Sequence, residues 1–160
     1  YWFDGVPTCV FAFSSSEWII GGATTGAWET EDAGQNFEPI IGPNEISACG
    51  RSDAGFVMSG SNGSWWSEDG KVWTSVGEDV DWLAIDIELI HNHTLIATAD
   101  NGTAWRLNLL HDNPNWTPLT GTDFLIVRAF NADASELLAG TEDGEILFSN
   151  FIKHFLSIFP

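Results

Sequence analysis

The sequence predicts an all-β fold of four similar sheets, and three observations predict it. A tight glycine turn followed by an aromatic or large aliphatic strand returns four times, at Gly26, Gly63, Gly102 and Gly144, spaced by 37, 39 and 42 residues. Repeats of about 40 residues belong to architectures in which one supersecondary unit stacks on its neighbours. Trp, Phe, Ile, Val and Thr fill the runs between Ser, Gly, Asp and Asn clusters. No stretch keeps a 3.6-residue apolar period long enough for a helix, apart from a possible uncapped turn starting at Ile152.

Each repeat divides into four extended segments, which is the blade of a β-propeller. The first gives 9–13, 18–23, 27–30 and 37–41, and the second 46–51, 56–60, 64–67 and 72–76. The third gives 82–90, 94–99, 103–107 and 116–119, and the fourth 124–130, 136–141, 145–149 and 155–159. Asn62-Gly63, Asn101-Gly102 and Asp143-Gly144 read as two-residue hairpin turns of type I′, with positive φ at both positions. The chain is thus one propeller domain, 1–160, with blades at about 6–42, 43–78, 79–121 and 122–160. Trp2-Phe3-Asp4-Gly5 is similar to the linkers at Gly77-Glu78-Asp79-Val80 and Gly121-Thr122-Asp123-Phe124. Four blades therefore either close as a disc or form part of a six- to eight-bladed ring.

A chain with 44% hydrophobic residues and nine tryptophans can fill a core. Its formal charge of −18 repels phosphate backbones and anionic lipid, so nucleic-acid binding is not expected. No apolar run is long enough to insert in a membrane as a helix. Cys9 and Cys49 fall in the first strands of neighbouring blades, where a pair can meet, but buried free thiols are the expectation. Asn-x-Ser/Thr acceptors stand at Asn62, Asn92, Asn101 and Asn115; Asn-Gly hairpins beside Ser or Thr generate them for structural reasons.

Between the third and fourth segments of the first repeat stands Thr30-Glu31-Asp32-Ala33-Gly34-Gln35-Asn36-Phe37. The second repeat has Ser67-Glu68-Asp69-Gly70-Lys71-Val72-Trp73, one residue shorter. Both resemble the Asp-box, or bacterial neuraminidase repeat. The resemblance implies a hairpin clasp in which Thr30, Asp32, Ser67 and Asp69 bond back to turn N–H groups. Gly34 and Gly70 supply the positive φ, and Phe37 and Trp73 pack beneath. The third and fourth repeats have lost the box. Propellers of this kind include sialidases, sortilin-type receptors, carbohydrate-active enzymes, photosystem II assembly factors and modules of phage surface proteins.

The residues do not supply a sialidase site, which needs three converging arginines and a tyrosine with its glutamate. Arg51, Arg106 and Arg128 are the only arginines, and Tyr1 is the only tyrosine. Arg51 and Arg128 lie in first strands and can face a central channel. Asp86 and Glu88 alternate in a first strand and share one face, with Arg128 as their expected ion-pair partner and a glycosidase pair as the lesser reading. His91, His93, His111 and His154 lack a ligand pattern, so no metal and no cofactor are expected. Trp65 and Trp66 point to opposite sides of one strand and are the candidates for ligand stacking or blade-to-blade packing.

These readings lead to a non-enzymatic propeller serving as a structural or recognition module in a larger assembly. Its expected setting is extracellular or on a virion surface, with other protein subunits as partners and a glycan as a further ligand. A lectin-like propeller or a photosystem II assembly-factor-like chaperone is the alternative, with a glycoside hydrolase behind them.

Overall fold

In the computed structural model the described residues are Phe3, 5–77, 82–91, 93–110 and 114–119, together with the backbone of three further strands at 127–132, 137–141 and 146–149. They form four antiparallel sheets in chain order. The first contains β1 (Pro7–Ala12), β2 (Trp18–Gly22), β3 (Gly26–Thr30) and β4 (Glu38–Pro39). The second contains β5 (Ile46–Ser52), β6 (Gly55–Gly60), β7 (Gly63–Ser67) and β8 (Thr74–Val76). β9 (Ala84–His91), β10 (Thr94–Ala99), β11 (Ala104–Asn108) and β12 (Trp116–Pro118) make the third. β13 (Val127–Ala132), β14 (Leu137–Thr141) and β15 (Ile146–Ser149) are the described strands of the fourth. The strand expected at 155–159 and the Asp143-Gly144 turn lie outside the described residues.

Sheet follows sheet through the innermost strands: β1 lies beside β5, β5 beside β9, and β9 beside β13. The core sits in the seams between sheets. Ile19, Ala27, Ile46 and Met58 fill the first seam with Cys9, Phe11 and Cys49 against them. Val57, Val76, Trp82, Ile87, Leu95 and Trp116 belong to the second. Outer strands are shorter than the apolar pattern suggests because Pro39 and Pro118 have no N–H to extend the ladder, which also blunts these strands as pairing edges.

Two expectations are corrected. The hairpin turns are not type I′. Gly60 pairs with Gly63 across Ser61-Asn62, and the Gly102 N–H donates to the Ala99 carbonyl across Asp100-Asn101. Among the described residues the only non-glycines with positive φ are Ala33 and Glu45, so Asn62 and Asn101 are not left-handed. Gly63 (φ 98°) and Gly102 (φ 84°) follow the turn and carry the left-handed residue alone, as in a type I turn closed by a glycine bulge. The asparagines act through their side chains. Asn62 accepts from the Asn44 N–H and donates to the Gly42 carbonyl, pinning the hairpin to the inter-sheet linker.

The second correction concerns the cysteines. Cys9 and Cys49 are joined as a disulfide, with Cα atoms 6.1 Å apart, instead of remaining free thiols. Cys9 on β1 faces forward to the second sheet and Cys49 on β5 faces back, so the seam brings them within bonding reach.

A feature with no sequence signal recurs at the centre. Each innermost strand breaks register once at the same place, skipping Thr8, Ser47, Ile85 and Arg128 in turn. A bulge leaves a ladder carbonyl without its partner. The Thr8 hydroxyl donates to the Gly21 carbonyl at 3.1 Å and the Ser47 hydroxyl to the Ser59 carbonyl at 3.1 Å. Thr8 also reaches the Ile46 carbonyl of the second sheet at 2.8 Å, so the bulge ties the seam as well.

Gly50 meets Ile87 so closely across the second seam that an added methyl would collide with its branched, stiff side chain. Gly50→Ala is expected to destabilise the fold by about 1–3 kcal/mol, with much of the loss recovered in Gly50→Ala/Ile87→Ala, measured by urea unfolding. Closing 40 residues, the Cys9–Cys49 bond is expected to contribute about 3–4 kcal/mol. Unfolding midpoints with and without reductant check this, and a Cys9→Ser/Cys49→Ser variant should be insensitive to it.

Candidate functional site

The two clasp turns and the turns joining first to second strands emerge on one face of the sheets. In the first clasp the Thr30 hydroxyl donates to Asp32 Oδ1 (2.9 Å) and accepts the Gly34 N–H (3.0 Å). The Asp32 carboxylate accepts the Asn36 N–H (2.9 Å) and side-chain amide (2.7 Å). In the second, Ser67 Oγ accepts the Gly70 N–H (2.9 Å), and Asp69 accepts the N–H groups of Lys71 (2.8 Å) and Val72 (3.3 Å). Hydrogen bonds from Asn36 hold the Asp32 carboxyl below the ordinary aspartate range, and those from the Lys71 and Val72 backbone do the same for Asp69. Phe37 is buried beneath the first turn, and Trp73 packs beside the first seam while its indole N–H donates to the Gly70 carbonyl.

Gly70 is also the seat of a neighbour. The Phe13 ring of the first sheet sits where a Cβ on Gly70 would be, and Phe13 stacks on Phe56 at 4.8 Å. Two clefts flank this contact. One, of about 150 Å³, is walled by Trp18, Ile19, Glu29, Glu31 and Lys71. The other, of about 400 Å³, is walled by Arg51, Ser52, Asp53, Phe56 and Glu68. Phe13 and Asp69 line both. Arg51 lies over the Phe56 ring, 5.1 Å from its centre, at the open end of the seam. Lys71 reaches Glu31 at 3.8 Å, an exposed pair worth little. Burial, then the neighbouring Glu31, raises Glu29 above the ordinary glutamate range. Phe13 and Glu29 read as ordinary strand residues in the sequence, and only the stacking of sheets brings them to one seam.

The other candidate residues divide. Trp65 covers Gly42 of the linker and donates its N–H to Asn62, and Trp66 packs on the second seam and donates to the Ala54 carbonyl. Both are half-buried, with their polar edges occupied. Asp86 and Glu88 share the forward row of β9, on the side of β13, whereas Ile87 faces back into the second seam. Burial, then Asp86, raises Glu88. The side chain of Arg128 lies outside the described residues. Among the described residues no three His, Cys, Asp or Glu side chains are grouped to hold a metal ion, and no helix is long and apolar enough to cross a membrane.

Comparison with known proteins defines the class. No family model and no curated protein sequence matches the chain. Solved β-propellers do match its fold. YCF48 bound to D1 peptide is similar over 92% of this chain and 51% of that chain, at 16% identity and a TM-score of 0.65. The computationally designed Ika4 protein is similar over 91% of both chains, at 16% identity and a TM-score of 0.68. The GH74 xyloglucanase from Xanthomonas campestris is similar over 91% of this chain and 28% of that one, at 15% identity and a TM-score of 0.66. The chain has a β-propeller fold, and it spans about half the length of the YCF48 structure. At these identities the likeness establishes architecture alone.

Because both clasp aspartates titrate below their unfolded values, they add stability above the ordinary aspartate pKa that is lost as pH falls through the folded one. The stability gap between the wild type and Asp32→Asn/Asp69→Asn is expected to close as pH falls from about 5 to about 2, in chemical unfolding series. Ser67→Ala, which orphans the buried Gly70 N–H, should cost about 1–2 kcal/mol at neutral pH.

Proposed function

We propose that this chain is a non-enzymatic propeller of the Asp-box type, acting as a structural and recognition module in a protein assembly. The observation that carries the reading is the uncovered side of β1. Val6 is 65% and Val10 62% exposed on an innermost strand, where a propeller buries its apolar residues against another sheet. The forward side of the same strand holds Cys9 and Phe11 in the first seam. A protein partner relieves this exposure; a small ligand does not. The disulfide and the acidic surface suit an oxidising setting, so a cell or virion exterior is the proposed location.

The seam clefts support a second reading, peptide recognition on the clasp face. Arg51, Phe13 and Phe56 combine a cation with aromatic surface there, and YCF48, a propeller of similar fold, has been solved with a peptide. A glycan ligand is less favoured, because both candidate stacking tryptophans are engaged in packing. Neither Asp86 nor Glu88 lies in the seam clefts, which leaves hydrolysis without a placed acid and base.

Native mass by light scattering tests the assembly reading: a mass above one chain is expected, and a monomer across the micromolar range overturns it. For the second reading, peptides selected on the wild type should bind about tenfold more weakly to Arg51→Ala. Unchanged binding removes that reading.

A further inference from the structure

We propose that the uncovered side of β1 is a sheet-docking surface filled by the innermost strand β13 of a second copy of this chain. The inference rests on the assembly reading above and names the partner. It follows from the repeated register break, which aligns the innermost strands residue by residue. Counting from the break, Val10 on β1, Cys49 on β5 and Ile87 on β9 hold the same position. Cys49 bonds to Cys9 of the sheet before it, and Ile87, 4% exposed, packs on Gly50 of the sheet before it. The position is therefore a backward-facing seam contact wherever a preceding sheet is present. On β1 it is open.

The register also states what closes it. The preceding strand presents Cys9 in the first seam and the small residues Ala48 and Gly50 in the second. On β13, Ala129 pairs with Gly140 one step beyond the break, as Cys9 pairs with Gly21 on β1. Alanine at this position matches the small-against-branched pairing of Gly50 with Ile87. β9 offers Asp86 there, a carboxylate that Val10 could not desolvate without cost. The chain's own β13 lies beside β9 and β10 while Val10 stays exposed, so the covering strand belongs to another copy. Two copies joined head to tail make this contact twice and close a twofold ring, four sheets from each. Because each copy is strongly acidic and the contact apolar, association strengthens as salt screens the repulsion.

The test is an oxidised Val10→Cys/Ala129→Cys variant, read by non-reducing electrophoresis and peptide mass mapping. A disulfide between the two introduced thiols of different chains is expected, together with a Val10→Lys variant whose native mass halves while its near-ultraviolet spectrum is kept. A link within one chain would show that the chain's own fourth sheet covers β1, and overturns the inference. An assembly that forms no such link and keeps its mass in Val10→Lys places the contact elsewhere, so this inference falls and the assembly reading stands. A monomeric wild type at every salt concentration removes both.

Discussion

The seam between neighbouring sheets is the constraint on which the rest of this structure depends. A four-stranded sheet of this length cannot bury its apolar residues alone; each is stabilised by the sheet stacked on either side. That requirement explains why the largest buried residues belong to seams, with the Ile46 and Met58 group on one side of β5 and the Val57 and Ile87 group on the other. It also explains the polar tie between them. The Trp116 indole N–H crosses the second seam to Ser64 Oγ at 2.9 Å, and Ser64 bonds in turn to Ser59, so a buried hydroxyl chain is satisfied by a neighbouring sheet.

Much of this was legible in the residues. Glycine turns at even spacing and aromatic runs of strand length located the fifteen described strands to within a few residues, and the hydroxyl-x-Asp pattern located both clasps. The errors share a cause. Proline at the outer strands, the side-chain role of Asn62 and Asn101, and the disulfide all depend on what lies across a seam or a turn, which strand propensity does not encode. The register break at Thr8 and Ser47 carries no compositional mark at all, since Ile85 and Arg128 hold the same place in the other sheets. Candidate binding residues chosen for their type, Trp65 and Trp66, turned out to be packing residues. The clefts near Phe13 and Arg51 arise only when two sheets are stacked.

The clasps and the seams together suggest how such a fold is used. The clasp turns stiffen the rim through hydrogen bonds to their own backbone, so they contribute stability without needing a ligand. Function is then left to surfaces where packing is incomplete: the open clefts around Phe13, and the side of β1 where Val6 and Val10 meet solvent. Of these, the β1 side is the larger departure from what a propeller tolerates, because the same register position is enclosed in the two sheets that follow.

The most direct measurement is hydroxyl-radical labelling of Val10 compared with Ile87 as protein concentration is raised. If the seam is the repeating unit and β1 holds its unfilled half, Ile87 stays protected throughout, and Val10 is labelled in dilute protein and protected in concentrated protein. Labelling of Val10 that is equally low at every dilution, or equally high at every concentration, would contradict the account.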